Sequence, residues 1–260
     1  MIPRVIMFDL DNTLAQSKQP IDEPMAVLLN ELLARTKVAI ISGGALGQLV
    51  AQAAERLAPP DSAAADHSAP TNLENLYLLP TSGAALYRHG MQGAWTPVYE
   101  KRLTDEESAR IEDALREGAE ATGLIDFSHE LHGPYIENRG AQVSLSALGQ
   151  RAPVEEKQAW DPTHEKRKAL QAAIAPLLPG YDVKVGGLTT IDVTAHGINK
   201  AFGVRSLSEH LEIPISEMLY IGDELSPGGN DDVVKETGIP TQSVENPRAT
   251  ARFLQDILSA

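Results

Sequence analysis

Residues 5–14 read Val-Ile-Met-Phe-Asp-Leu-Asp-Asn-Thr-Leu and limit the fold more than any other stretch of the chain. Four apolar residues run without a break into two acids one residue apart, followed by a turn residue and a hydroxyl. A short apolar run closed by turn formers reads as a strand buried on both faces, which belongs to a parallel sheet. Ligands of open parallel sheets bind beyond the carboxyl ends of the strands. Asp9 and Asp11 therefore stand where chemistry is expected. Two carboxylates this close repel each other unless a cation or a positive side chain offsets them.

The flanking segments repeat the pattern. Asp22 is an N-cap and Pro24 suits the first turn of a helix carrying Met25, Leu28, Leu29, Leu32 and Leu33. A second buried strand over 38–41 ends in Ser42-Gly43-Gly44, and Leu46, Leu49, Val50, Ala53 and Leu57 mark the next helix. A third strand spans 76–79. This βαβα opening implies a parallel sheet. After His196-Gly197 the same texture returns: a helix with Lys200 at its start, an apolar run over 218–221 ending in Gly222-Asp223, a short strand over 241–244, and a terminal helix capped by Asn246-Pro247.

The middle block differs. It shows hairpin material over 85–88 and 94–99, a capping box at Thr104 and Glu107, strand-like runs over 135–137, 142–145, 182–185 and 189–193, and a helix starting at Asp161-Pro162. The expected fold is α/β, a doubly wound, Rossmann-like core over 1–83 and 197–260 interrupted by an inserted α+β cap domain over 84–196.

Three apolar strands thus end in polar signatures on one sheet edge. Asp9, the Asp11 carbonyl and Asp223 offer hard oxygen ligands, a set that suits Mg²⁺ completed by water and substrate phosphate. In this arrangement Asp9 is a nucleophile that takes up a phosphoryl group, and Asp11 is the general acid and base. Thr13, Ser42 and the Gly43 amide hold phosphate oxygens, and Lys200 offsets the crowded acids. The plainer reading of Asp9 and Asp11 alone is an Asx turn closing a strand.

Charge and composition narrow the partners. The chain has 260 residues, carries a net charge of −14 at pH 7 and contains no cysteine. The charge argues against nucleic acid and anionic membrane as partners. The missing thiols exclude disulfides and cysteine nucleophiles. There is no run of about 18 apolar residues that would span a membrane, and the N-terminus leads straight into the first strand, so a cytoplasmic protein is expected.

The motif set Asp9-Leu10-Asp11, Ser42, Lys200 and Gly222-Asp223 resembles the haloacid dehalogenase (HAD) superfamily. Within it, the string 222–231, Gly-Asp-Glu-Leu-Ser-Pro-Gly-Gly-Asn-Asp, resembles the eukaryotic-type phosphomannomutases, as do Tyr135-Ile136-Glu137-Asn138-Arg139 and the segment 186–193, Gly-Gly-Leu-Thr-Thr-Ile-Asp-Val. The resemblance implies Mg²⁺, a hexose phosphate substrate, interconversion of mannose 6-phosphate and mannose 1-phosphate, and a homodimer formed through the cap. It implies that Arg139, Thr190 and Asp192 touch the sugar phosphate, and that Asp231 binds or orients the metal, where the alternative is a helix N-cap. It also places Gln150 and Lys157 where the family carries arginines that clamp the distal phosphate. Gln has no charge and Lys lacks the bidentate fork, so a sugar-phosphate phosphatase of the same fold stays open beside the mutase. A sugar-phosphate sensor without turnover is a third reading, although the acids and Lys200 are intact. His129-Glu130-Leu131-His132 lacks a third ligand at metal-site spacing.

Overall fold

The computed structural model describes residues 2–57, 72–90, 93–128 and 132–259. The chain runs β1 (Val5–Asp9), α1 (Glu23–Leu33), β2 (Lys37–Ile41), α2 (Leu46–Leu49), a π turn (Val50–Ala54), α3 (Glu55–Leu57), β3 (Leu76–Leu79), β4 (Ala85–His89) and β5 (Trp95–Glu100). It continues through α4 (Asp105–Thr122), β6 (Ile136–Asn138), β7 (Gln142–Ser146), α5 (Val154–Trp160), α6 (Glu165–Ile174), β8 (Tyr181–Val185) and β9 (Thr190–Ala195). The last elements are α7 (Lys200–Leu211), β10 (Met218–Gly222), β11 (Thr241–Ser243) and α8 (Pro247–Ser259). Two compact units result, residues 1–100 with 199–260 and residues 101–198.

The first unit is built on a seven-stranded sheet in the order β11-β10-β1-β2-β3-β4-β5. The strands from β11 to β3 are parallel, and β4 and β5 are antiparallel additions. Successive side chains of a strand point to opposite faces, and both faces here are covered. Ile6, Phe8, Val38, Ile40, Leu76 and Leu78 pack with α1 and α8 on one side. Val5, Met7, Ala39, Ile41 and Leu79 pack with Val204 and Leu207 of α7 on the other. This explains the unbroken apolar run before Asp9, because a strand sandwiched between helices has no polar face to show. The strand order reverses direction at β1 and β10, the switch point where such sheets bind ligands.

Local signals start the helices as expected. The Asp22 side chain accepts from Met25 N at 2.9 Å. Asn199 caps α7 by accepting from Phe202 N at 3.0 Å, which sets Lys200 in the first turn. A pair of glycines seats α7 closely: a Cβ on Gly83, whose φ is +89°, would lie 2.8 Å from the Gly203 Cα. Backbone approach this close excludes side chains on either residue.

The hairpin β4–β5 corrects the expected boundary at residue 84. β4 pairs with β3 through Tyr77 and Arg88 and through Leu78 and Tyr87, so the hairpin extends the core sheet. Tyr99 of β5 donates to the Gly83 carbonyl at 2.7 Å, and Leu86 is fully buried. The insertion begins after Glu100 and ends at Ile198.

The second unit is a four-stranded antiparallel sheet, β6-β7-β9-β8. Val143, Leu145, Ile191 and Val193 form its apolar face and pack with Ile111 and Leu115 of α4 and Leu170 and Ile174 of α6. The expected capping box is present, with Glu107 N donating to Thr104 Oγ1 at 3.2 Å and Thr104 N to Glu107 Oε2 at 2.8 Å. Two features differ from expectation. Helix α5 lies ahead of Asp161, in a stretch without clear apolar spacing. Asp161 precedes α6 and does not begin it: its carboxylate accepts from the amides of Lys166 and Arg167 at 3.0 and 3.1 Å, and the helix starts at Glu165. No helix among the described residues is long and apolar enough to cross a membrane.

Candidate active site

The site grows from the carboxyl ends of adjacent strands. Asp9 is the last residue of β1, and its Cα pairs with Ile41, so Ser42 and Gly43 follow directly beside it. β10 lies on the other side of β1 and delivers Asp223. The loop after β10 folds back: Asp231 N donates to the Glu224 carbonyl at 3.2 Å, which returns Asp231 to the rim. α7 brings Lys200 from the far end of the chain.

These residues form one cluster, in which Asp9, Lys200 and Asp231 are buried and Asp223 is half-buried. Lys200 Nζ donates to Asp9 Oδ1 at 2.6 Å, Asn230 Oδ1 at 2.7 Å and Asp231 Oδ1 at 2.7 Å. An ammonium has three protons, so the three acceptors saturate it. Tyr220 Oη donates to Asp231 Oδ1 at 2.5 Å, and Glu224 N donates to Asp231 Oδ2 at 3.2 Å. Thr13 Oγ1 donates to Asp223 Oδ1 at 3.2 Å, while the Thr13 carbonyl accepts from Thr250 Oγ1 at 2.6 Å. Carboxylate oxygens of Asp9, Asp223 and Asp231 all lie within 4.8 Å of one another.

The electrostatics follow from burial and crowding. Burial raises the Asp9 carboxyl well above its ordinary value; Lys200 pulls against this, and Asp231 and Asp223 add to it. Burial, then Asp231 and Glu224, push Asp223 up to about 6. Burial alone would lower Lys200, but Asp231 and Asp9 outweigh it and hold the ammonium above its usual value. Tyr220 is likewise raised, by burial first and then by Asp231 and Asp9. Three carboxylates and one ammonium leave a surplus of negative charge in a largely buried site. Such a cluster fits a hard divalent cation, which would offset that surplus.

The structure places the other expected residues as follows. Asp11 lies outside the carboxylate cluster; its Oδ1 accepts from Lys18 N at 2.6 Å, a local turn contact. Ser42 is buried, and its Oγ accepts from Gly44 N at 3.2 Å. In the second unit Arg139 pairs with Glu137 at 2.7 Å and reaches Gln150 Oε1 at 3.4 Å. Lys157 Nζ donates to the Gln150 carbonyl at 3.1 Å. Asp192 Oδ1 accepts from Ser144 Oγ at 2.6 Å, and Ser144 accepts in turn from Gln142 Nε2 at 2.8 Å. Glu137, Ser144, Asp192 and Lys184 form one row across the sheet, and Thr190 pairs with Ser146 in the neighbouring row. Arg139, Gln150, Lys157, Thr190 and Asp192 therefore belong to one polar region of the second unit. His129, Glu130 and Leu131 of the histidine motif lie outside the described residues, and His132 Nε2 sits 3.1 Å from Glu156 Oε2.

Sequence reasoning missed Tyr220 and Asn230, which complete the Lys200–Asp231 network. The signal for Tyr220 is its hydroxyl within an apolar strand, because a fully buried tyrosine needs a partner for its O–H. Asn230 stands beside Asp231 in the Gly-Gly-Asn-Asp string.

Comparison with known proteins places the chain in a family. The family model described as eukaryotic phosphomannomutase matches residues 75–260. Phosphomannomutase 1 of Homo sapiens is 23% identical over 257 residues, covering 96% of this chain and 90% of the human protein. A probable phosphomannomutase of Caenorhabditis elegans is 24% identical over 263 residues, covering 98% and 95%. Among solved structures, an IMP-bound, N-terminally truncated Plasmodium falciparum IMP-nucleotidase aligns with a TM-score of 0.65 at 18% identity, over 100% of this chain and 69% of that one. The C-terminal domain of C. albicans trehalose-6-phosphate phosphatase aligns at 0.60 and 17% identity, over 99% and 93%. At these identities the structural likeness carries the fold alone. The family match spans both the second unit and the return of the chain through Lys200, Asp223 and Asp231, and on it the chain belongs to the eukaryotic phosphomannomutase family.

Proposed function

We propose that this protein is a Mg²⁺-dependent phosphotransferase of phosphomannomutase type, acting on hexose phosphates through a phosphorylated Asp9. One observation carries the reading: Asp9, Lys200, Asp223 and Asp231, drawn from distant parts of the chain, converge in one cluster at the β1–β10 switch point. Family membership supports the hexose phosphate as substrate.

Each residue has a task. Asp9 attacks phosphorus, its carboxylate held by Lys200. Asp9 and Asp223 are the acids that would hold Mg²⁺, which when bound would neutralise charge on the transferring phosphoryl group. Both carboxylate oxygens of Asp231 accept protein hydrogen bonds, so its role is to orient Lys200. Asp11 takes and returns the proton of the sugar or water oxygen. Ser42, the Gly43 amide and Thr13 line the phosphate's approach. In the second unit Arg139, Gln150, Lys157, Thr190 and Asp192 recognise the sugar phosphate. A homodimer through that unit belongs to the same reading and rests on the resemblance alone; a cytoplasmic location rests on the cysteine-free composition and the lack of an apolar span.

A phosphatase is the second reading, favoured by the far-end residues. Gln150 carries no charge, and Lys157, a point charge without the bidentate fork, donates to the Gln150 carbonyl. A mutase must hold a bisphosphate while the sugar turns around, so a weak distal grip favours release and hydrolysis. The deciding experiment supplies mannose 1-phosphate and Mg²⁺ with and without a hexose bisphosphate primer. Mannose 6-phosphate as product supports the mutase, and free phosphate without isomer supports the hydrolase. No turnover of either kind, with ligand bound, overturns both.

A further inference from the structure

A buried arginine in the second unit has no place in the chemistry described so far. Arg167, in the first turn of α6, is 4% exposed, and its partner Asp161 is 3% exposed. Arg167 Nε donates to Asp161 Oδ2 at 2.8 Å. The other arm of the guanidinium points away from Asp161: Nη1 donates to the Gly187 carbonyl at 2.6 Å and the Gly186 carbonyl at 3.3 Å. Burial alone would raise the Asp161 carboxyl, but the hydrogen bonds from Arg167 and from the Lys166 and Arg167 amides hold it below its ordinary range. The Arg167–Asp161 pair thus anchors a loop.

That loop leans on Asp192. Gly186 N donates to the Thr190 carbonyl at 2.8 Å, which closes the turn into β9. A Cβ on Gly186 would lie 2.4 Å from Asp192 Oδ2, so the bare backbone packs directly against that carboxylate. The opposite oxygen, Oδ1, accepts from Ser144 at 2.6 Å. The Asp192 carboxylate is therefore held from both sides, by Ser144 and by a backbone that Arg167 fixes. Two carbonyls on one guanidinium nitrogen and a carboxylate on another need a planar, branched donor, which lysine does not offer.

We propose that Arg167 is a positioning residue for substrate selection: by clamping the Gly186 and Gly187 carbonyls it sets the geometry in which Thr190 and Asp192 meet the hydroxyls of a sugar phosphate. This rests on the sugar-phosphate reading above. Displacing a recognition group by a fraction of an ångström weakens oriented contacts far more than it disturbs the fold.

The test compares two phosphate esters with the full chain and Mg²⁺. Mannose 1-phosphate carries the ring hydroxyls, and p-nitrophenyl phosphate does not. R167M is expected to raise KM for mannose 1-phosphate roughly tenfold while p-nitrophenyl phosphate hydrolysis stays within about twofold of wild type. R167K keeps the charge beside Asp161 but not the fork, and should fall between the two. A wild type that prefers the sugar ester, with R167M and R167K keeping that preference in full, overturns the role given to Arg167. Equal loss on both esters in folded R167K also overturns it, since a purely structural residue would behave that way. Should R167M fail to fold, R167K alone decides, by the same preference ratio. A wild type that treats both esters alike overturns the sugar-phosphate reading, and the inference falls with it.

Discussion

Lys200 Nζ lies 2.6 Å from Asp9 Oδ1, although 191 positions separate the two residues along the chain. Both side chains are nearly sealed from solvent, at 5% and 8% exposure. Breaking a buried pair of this kind leaves an uncompensated charge that costs about 3–5 kcal/mol. The same contact fixes the carboxylate of Asp9, the proposed nucleophile, so stability and the proposed chemistry meet at one bond.

Lys200→Met should therefore lower the melting temperature in the absence of metal and reduce kcat by about 10²–10⁴-fold. Added Mg²⁺ should restore part of the lost stability, because it offsets the acids that Lys200 served, but not the turnover. Calorimetry and steady-state kinetics on one preparation check both parts. Unchanged kcat would contradict the position given to Lys200.

Tyr220→Phe removes one buried hydroxyl and leaves the ring in place. Asp231 then loses one of its donors while Lys200 and the Glu224 amide remain. The loss is expected at about 1–2 kcal/mol of stability, with kcat down by up to roughly tenfold and KM little changed. A pure stability effect with full kcat would show that Tyr220 supports the fold alone.

Asp223 gives a pH signature. Its pKa in the folded protein is about 6 against 3.8 for the free group, so the folded state binds the proton more tightly than the unfolded chain. Ionising Asp223 then lowers stability, by an amount that builds up between those two values and stays constant above them. Asp223→Asn should raise the melting temperature of the metal-free protein at neutral pH, by about 2–4 °C for a gain near 1 kcal/mol once partial exposure is discounted. The gain should fade as the pH falls below about 6 and vanish near 4. With saturating Mg²⁺ the order should reverse, since only wild type gains by binding. Melting curves across pH, with and without the cation, read both trends.

Gly203→Ala tests the seat of α7. The added methyl would lie 2.7 Å from Ile41 Cδ1 and 3.2 Å from the Gly83 Cα. Overpacking of this kind costs about 1–3 kcal/mol, and it should also lower kcat by shifting Lys200. Denaturant midpoints together with kcat check it; a fully stable variant would show that the close approach is dispensable.

Much of this molecule was legible from its chain, and for a physical reason. The apolar runs before Asp9, Ser42 and Asp223 announced strands buried on both faces, because burial on two sides leaves no room for alternation. The caps at Asp22 and at Thr104 with Glu107 were legible because their partners sit three residues away. Asp9 and Asp223 were expected on one rim because parallel strands deliver their ends to one edge, and Lys200 was expected beside them because crowded acids need a cation; Asp231 was expected from the resemblance alone.

Tertiary structure decided what depends on partners chosen across space. Strand β4 carries no mark that it will pair with β3, so the hairpin's place in the core sheet emerged only with the sheet itself. Asp161 looks like a helix start, yet it caps α6 from outside and holds Arg167. Tyr220 and Asn230 acquired roles only once Lys200 and Asp231 were brought beside them. Sequence alone determined which segments are buried and where their polar ends fall, since periodicity and capping are local. Which donor meets which acceptor was left to the fold, because those distances are set by packing between segments far apart in the chain.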